Sequence, residues 1–342
     1  MSESRPALSG GEQLFEAFLN RYDDHEWREI VRELRPSINE VDQTAVEIWF
    51  YFFPLALLRG LQQADDPDGL ARKLSLEGNY LLKNQIDSSH RFLYGHRYWP
   101  QVKAAVSELA AGTGAPESLD LANLIRRVAS DVADKASVDK SLLVGITAVA
   151  LATLRQVGAE AFRSSAGTDR NSSTKSSGKS PEQIVSGRSR DDSQGLLSFF
   201  RPDKIFTINF DEADSSANFK LINTQHLTTA AANDKRDYHS REPRCVVGEG
   251  PIPIQCRSAS CGTCWVGVLG GAEKLSEVSG LEWRRMKEFG YIDTDDPQPI
   301  IRLACQAQAH GNVSIVIPPW NGEFGKFIRR QQSELEEEFE QR

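Results

Sequence analysis

Cysteine is scarce in this chain, five residues in 342. A small, odd number argues against a disulfide scaffold. The opening stretch, MSESRPALSGGEQLFEAF, has no apolar core of a secretory leader. Together these point to work in a reducing cytoplasm. Long apolar runs are missing too. IWFYFFPLALL (Ile48–Leu58) and LLVGITAVALATL (Leu142–Leu154) fall short of the ~20 apolar residues of a membrane helix. Both are expected as buried core helices, with no transmembrane segment; peripheral association with a membrane complex stays compatible. Positive charge is not in excess: 40 Lys and Arg face 48 Asp and Glu, a net charge of −8. That balance argues against a nucleic-acid binder, which needs a basic surface. No glycine-rich flavin or nicotinamide fingerprint is present, which excludes a self-contained reductase. No repeat period stands out, so a solenoid has no support.

What is there divides in three. Residues 1–163 read as a helical domain. GEQLFEAFLNRY places Leu14, Phe15, Phe18 and Leu19 on one stripe, and DDHEWREIVREL repeats it with Trp27, Ile30, Val31 and Leu34 until Pro36. A long apolar stretch from about Val41 to Gln63, bent at Pro54, follows, then Ala- and Leu-rich stretches punctuated by Gly and Pro. Seven or eight helices in a bundle are expected. Residues 164–195, rich in Ser, Gly and charge, are expected to be a flexible linker, because they bury too little apolar surface to offset ordering entropy. From 196 to 325 the period changes to that of strands: KIFTINF and NFKLINT as a hairpin, CWVGVLGG and VSIVIPPW as further strands, LSEVSGLEWRRMKEFG as a helix. Residues 326–342 read as a charged, solvated tail. The fold class is α+β overall, an all-α bundle joined by the linker to a small α+β domain.

Three of the five cysteines crowd into nine positions, CRSASCGTC. Cys256, Cys261 and Cys264 stand as Cys-x4-Cys-x2-Cys, and Cys305 follows about forty residues later in RLACQ. A plant-type 2Fe–2S ferredoxin places its four thiolates with this spacing, and soft sulfur suits iron–sulfur centres. A structural zinc site would show two Cys or Cys/His pairs where only one is present. A redox dithiol at Cys261 and Cys264 would want a βαβ setting, and a catalytic thiol would not need three neighbours. The residues between the thiols also fit a cluster. Its net negative charge needs donors, and Ser258, Ala259, Ser260, Gly262 and Thr263 are small enough for backbone N–H groups to turn toward sulfur. Gly262 suits a backbone angle that larger residues resist. Arg257 reads as a solvated arginine, with compensation of cluster charge as the alternative. Cys245 is the spare, expected to be a small buried hydrophobe.

PIPIQCRSASCGTCWVGV, with AEKLSEVSGLEWRRMKEFGY and IIRLACQAQAHGNVSIVIP after it, resembles the 2Fe–2S ferredoxin family over roughly Lys204 to Pro319. The helix before the last cysteine and the RLxCQ lead-in are similar to the adrenodoxin-like branch, and the x4 spacing to the plant branch. The resemblance implies a β-grasp fold and a 2Fe–2S cluster, with Cys256 and Cys261 on one iron nearer the surface and Cys264 and Cys305 on the other. It does not reach the helical domain. Two departures stand out. TQHLTTAAANDKRDYHSREPRCVVGEG is longer and more polar than the family's short helix there. EWRRMKEF mixes Glu282 and Glu288 with Arg284, Arg285 and Lys287, so docking through an acidic helix is in doubt; Asp293, Asp295 and Asp296 read as an ordinary solvated loop.

His25, His90 and His96 raise a haem or di-iron reading for the helical domain. Only DSSH (87–90) approaches a Glu-x-x-His motif, no second copy exists, and the six-residue separation of His90 and His96 predicts different faces of one helix. The aromatic runs WFYFFP and HRFLYGHRYWP read as core. The expected function is therefore a one-electron carrier without substrate chemistry of its own. The helical domain would dock it to a larger oxidoreductase, between a reductase donor and an oxidoreductase acceptor, with the linker letting the cluster move. The competing expectations are a redox-sensing regulator, whose cluster state controls partner binding, and an enzyme with an unrecognised cofactor in the helical half.

Overall fold

The computed structural model describes residues 10–112, 120–165, 178–189, 204–289 and 296–324. Those in the helical half form nine α-helices: α1 (Gly10–Leu19), α2 (Asp24–Leu34), α3 (Glu40–Phe52), α4 (Leu55–Gln63), α5 (Pro67–Lys73), α6 (Trp99–Ala111), α7 (Leu121–Ala136), α8 (Ser141–Val157) and α9 (Ala159–Ser164). A two-residue strand, β1 (Glu77–Gly78), follows α5. Beyond these lie α10 (Pro181–Arg188), β2 (Ile205–Asn209), β3 (Asn218–Ile222), α11 (Leu227–Ala231), β4 (Trp265–Gly270), α12 (Gly280–Phe289), β5 (Ile301–Leu303), β6 (Val313–Val316) and β7 (Trp320–Asn321).

By contact the chain divides into two compact units, Met1–Leu55 with Leu81–Ser173, and Ala56–Tyr80 with Thr174–Arg342. This division differs from the linear one read off the composition, because the middle of the helical half goes with the C-terminal unit. The lacing is backbone-made. Glu77 pairs with Asn321 and Gly78 with Trp320, while Asn79 N–H donates to Pro319 O (3.0 Å) and Glu323 N–H to Leu74 O (2.8 Å). The stretch expected as a flexible linker also contains α10. Ser180 and Gln183 form a capping box, Pro181 opens the first turn, Ile184 is buried, and Arg188 forms a two-pronged ion pair with Glu212. Residues 166–177 and 190–195 of that stretch lie outside the described residues, as do Asp293, Asp295 and the tail from 326.

The helical unit is organised around α8. Leu142 through Arg155 is buried without interruption, and the helix packs against α1, α3, α6, α7 and α9. A helix apolar on all sides must lie in a core or in lipid, and here it has protein on every side. Gly145 lets α3 come close: a Cβ there would lie 2.6 Å from a Val46 methyl. Caps set the helix starts. Asp23 and Glu26 form a capping box on α2, and the side chains of Asn39 and Asp120 cap α3 and α7. The stretch Glu40–Gln63 is the one segment among the described residues long and apolar enough to cross a membrane. It is broken at Phe53–Pro54 into α3 and α4, and 59% of its most apolar window is buried within the protein.

His90 and His96 do not share a helix. Residues 85–98 run through turns and a short 3₁₀ segment, since the buried carboxylate of Asp42 takes the N–H groups of Tyr94 (2.6 Å) and Gly95 (2.7 Å). The two rings meet, Nδ1 to Nδ1 at 3.0 Å, and His90 also stacks 3.9 Å from Trp99. His90 Nε2 faces Ile86 O at 3.2 Å and must donate to it. Its Nδ1 is then the acceptor for His96 Nδ1–H, so both ring nitrogens of His90 are engaged. His25 stands exposed, 3.8 Å from Glu29.

Burial keeps both histidines neutral, and the hydrogen-bonded rings cannot both take up a proton. His90 is held well below its ordinary range by burial and then by His96; His96 is brought to about 4 by burial and by Arg91, against the pull of Asp87. The unfolded chain takes up these protons near pH 6.5. Unfolding therefore binds protons below that pH, and stability falls as pH falls toward 4. Between pH 7 and 5.5 each histidine should cost about 1 kcal/mol. Urea titrations followed by far-ultraviolet circular dichroism should show the loss, and His96→Gln should remove one share of the pH slope.

Candidate iron–sulfur centre

The C-terminal unit holds a five-stranded sheet in the order β3-β2-β6-β4-β5. β2 and β3 form the expected antiparallel hairpin, Ile205 opposite Ile222 through Asn209 opposite Asn218. β2 runs parallel to β6, and β4 lies antiparallel to both β6 and β5. β6 ends short of Pro318 and Pro319, which cannot donate to a ladder.

This sheet explains how Cys305 reaches its distant relatives. Trp265 pairs with Leu303, and the ladder is prolonged by Ala304 N–H donating to Cys264 O at 2.9 Å. Cys264, the residue before β4, and Cys305, two residues after β5, therefore come together at one end of the pair. A buried ion pair holds β5 to α12. Arg302 Nε and Nη2 donate to the two oxygens of Glu282, each at 2.9 Å, with both side chains within 1% of complete burial. Leu303 N–H donates to Glu282 Oε1 (3.0 Å), and Arg302 Nη1 to Ser276 O (2.8 Å).

The loop from 256 to 264 is wound so that donors face sulfur. Arg257, Ala259 and Gly262 have φ of 55°, 59° and 65°. Gly262 is left-handed as expected, but an arginine and an alanine accept the same region at a cost that the inward N–H groups offset. Ser258 N–H and Ser260 N–H point to Cys256 Sγ at 3.4 and 3.3 Å, with the Ser260 hydroxyl added. Burial pushes the Cys256 thiol up, but these donors and Cys261 bring it to about 6. Burial raises Cys261, which takes bonds from the Thr263 hydroxyl and N–H. Cys264, donating to Cys305 and deeply buried, is held well above the usual thiol range. Cys305 is brought to about 7 by Cys264, against burial, with help from Gln306 Nε2 and Ala259 N–H.

The thiols thus meet as two pairs, Cys256 with Cys261 and Cys264 with Cys305. Among the described residues no three His, Cys, Asp or Glu side chains converge as ligands of a single ion. Two pairs are what a two-metal centre needs. Residues 247–310 match the family of the 2Fe-2S iron–sulfur cluster binding domain. This part of the chain is a 2Fe–2S domain. Its cofactor is a 2Fe–2S cluster, and its role is to carry electrons. The domain's donor set fits the cluster: two pairs of thiols, one half-exposed (Cys256, Cys261) and one buried (Cys264, Cys305), each with N–H or O–H donors on sulfur. No solved structure matches the chain.

Other residues of the 2Fe–2S domain depart from expectation or were not singled out in the sequence. Arg257 is not simply solvated, since its Nη2 lies 2.6 Å from Glu249 Oε2. Glu249 was not foreseen, and nothing in its spacing signals the pair. Glu282 is buried rather than displayed, and Glu288 is taken by Arg285 at 2.5 Å. Gln306 was visible in RLACQ, where a side-chain amide directly after the cysteine is a donor within reach of its sulfur. Cys245 is buried as expected, its thiol donating to Pro251 O (3.3 Å) and raised by burial to about 11.

Proposed function

We propose that the chain is a one-electron carrier whose single 2Fe–2S cluster is held by Cys256 and Cys261 on one iron and by Cys264 and Cys305 on the other. The meeting of the thiols as two pairs, under N–H groups of a left-handed loop, carries this reading. The cluster supplies a reversible one-electron couple. Arg257, Ser258, Ala259, Ser260, Gly262 and Thr263 hold the loop and donate toward sulfur, which favours the more negative reduced state. The order of the sheet, with its hairpin and parallel central pair, supports the β-grasp reading. Five unpaired cysteines accord with a reducing compartment and cytoplasmic work. The helical unit serves as the module that docks the carrier to a larger oxidoreductase, and the chain transforms no substrate itself.

Material purified without oxygen should contain two irons and two acid-labile sulfides per chain, and dithionite should develop the EPR signal of a reduced 2Fe–2S centre. Absence of iron and sulfide would overturn the reading. A changed affinity for a partner between the two redox states, without electron delivery, would replace the carrier by a regulator.

A further inference from the structure

The segment Ala56–Tyr80 belongs to the cluster unit by contact, yet it lies far outside residues 247–310 that make up the 2Fe–2S domain. One of its side chains reaches the approach to the cysteine loop. Glu77, the first residue of β1, accepts from Gln255 Nε2 on both carboxylate oxygens, at 3.2 and 3.3 Å. Gln255 is the residue before Cys256. The same carboxylate accepts from Asn321 Nδ2 at 3.3 Å. Asn321 is itself buried, and its Oδ1 takes Arg244 Nη1 (3.0 Å).

The backbone fixes Glu77 at this place. Glu77 and Gly78 pair with Asn321 and Trp320. Gly78 has φ +82°, and a Cβ there would lie 2.7 Å from Pro319 O and 2.8 Å from Arg244 Nε. Glycine alone tolerates both the angle and the close approach. From the Glu77 carboxylate to Cys256 Sγ, through the side chain of Gln255, standard bond lengths allow at most about 15 Å.

The charge of Glu77 is unlike the others near the loop. Arg244 is taken by Glu242, two-pronged at 2.9 Å, and Arg257 by Glu249. Glu77 has only the neutral amides of Gln255 and Asn321, and among the described residues no cation pairs with it. Other charges of the unit, such as Lys235 on the carbonyls of Ala232 and Gly248, are the same in every variant of Glu77 and drop out of a comparison.

We propose that Glu77 tunes the reduction potential of the cluster, its carboxylate opposing entry of the electron. This rests on the carrier reading above. One electron adds a unit of negative charge to a centre that is already negative, so a fixed carboxylate at this range raises the reduced state more than the oxidised one. The N–H groups on Cys256 Sγ act in the other direction. A segment outside the 2Fe–2S domain thus makes the reduced carrier a stronger donor.

The test uses the full chain, purified without oxygen and titrated with dithionite against a mediator dye of known potential, followed by visible absorption and EPR. Glu77→Gln keeps an oxygen to accept from Gln255 but loses the charge. It should hold the same iron and raise the equilibrium constant for reduction about threefold, the effect of one charge roughly 10 Å away at an effective dielectric constant of about 50. Glu77 is exposed, so raising NaCl from about 0.01 to about 1 M should shrink that difference by more than about half. Glu77→Asp keeps the charge, and its constant should stay nearer that of the unsubstituted chain than that of Glu77→Gln. An unchanged constant in Glu77→Gln at low salt, or an equal shift in Glu77→Asp, overturns the tuning and leaves the carrier reading intact. Loss of iron from Glu77→Gln would mean that the residue acts by holding the loop and not by its charge, which also overturns the proposal. An unsubstituted chain without a 2Fe–2S centre fails the carrier reading, and the tuning with it.

Discussion

Replacing Cys305 with serine should abolish the cluster, whereas Cys245→Ser should leave it intact. Cys305 is 4% exposed, accepts a hydrogen bond from the Cys264 thiol, and is placed by the β4–β5 register. A serine oxygen there is harder and far less readily deprotonated than a thiol, and so a poor ligand for an iron–sulfur centre. The Cys245 thiol is held protonated by burial and donates to the Pro251 carbonyl rather than to another sulfur. Anaerobically purified Cys305→Ser should carry bound iron reduced on the order of tenfold or more and give no EPR signal with dithionite. Full iron content and an unchanged spectrum in Cys305→Ser, with loss in Cys245→Ser, would exchange the two residues' roles.

Breaking the Glu282–Arg302 pair should be the most destabilising single change in the cluster unit. Arg302→Leu strands a carboxylate that is fully buried, with Leu303 N–H left as its one donor named above. Removing one partner of such a pair costs about 3–5 kcal/mol, most of it the burial of the abandoned charge. Because β5 leads directly into Cys305, the same variant should also lose its cluster faster on mild chelation. The double substitution Glu282→Leu with Arg302→Leu removes both charges and should recover much of the stability, as replacement of buried pairs by apolar groups commonly does. Denaturant midpoints of the three variants separate the cases. Equal, small losses in all of them would mean that the pair contributes little.

The cluster loop was legible in the sequence because ligand chemistry dictates its spacing, and thiols are too few here to confuse the pattern. The β2–β3 hairpin was legible for another reason: alternation with period two survives when one face is buried, as Phe206 and Ile208 are. Core helices announced themselves likewise, α8 by its unbroken apolar run. Legibility failed where elements are too short to show a period. β1 is two exposed residues, β7 two residues behind a proline pair, β5 three buried ones. α10 carried a readable cap in Ser180-Pro-Glu-Gln183, but the composition around it, rich in serine and glycine, argued the other way. The spacing of His90 and His96 predicts one helix because nothing local reveals that Asp42, some fifty residues earlier, takes the N–H groups of Tyr94 and Gly95. The Glu282–Arg302 pairing was hidden in the same way, as a contact across twenty residues that reads from the sequence as scattered surface charge.

Ala56–Tyr80 gives the molecule a threaded architecture. The chain enters the cluster unit, leaves it, and returns, so the two units share three covalent crossings rather than one. A fragment cut anywhere in the serine-rich stretch would strip β7 of its only strand partner among the described residues and uncover Trp320, which packs at 5.3 Å on the Trp265 that follows Cys264. Nor could the two halves be recombined in trans as ready-made cassettes, because the piece that completes one is spelled out in the middle of the other. Biosynthesis inherits the same constraint: the electron-carrying half cannot finish assembling from its own residues, and must await a segment already translated.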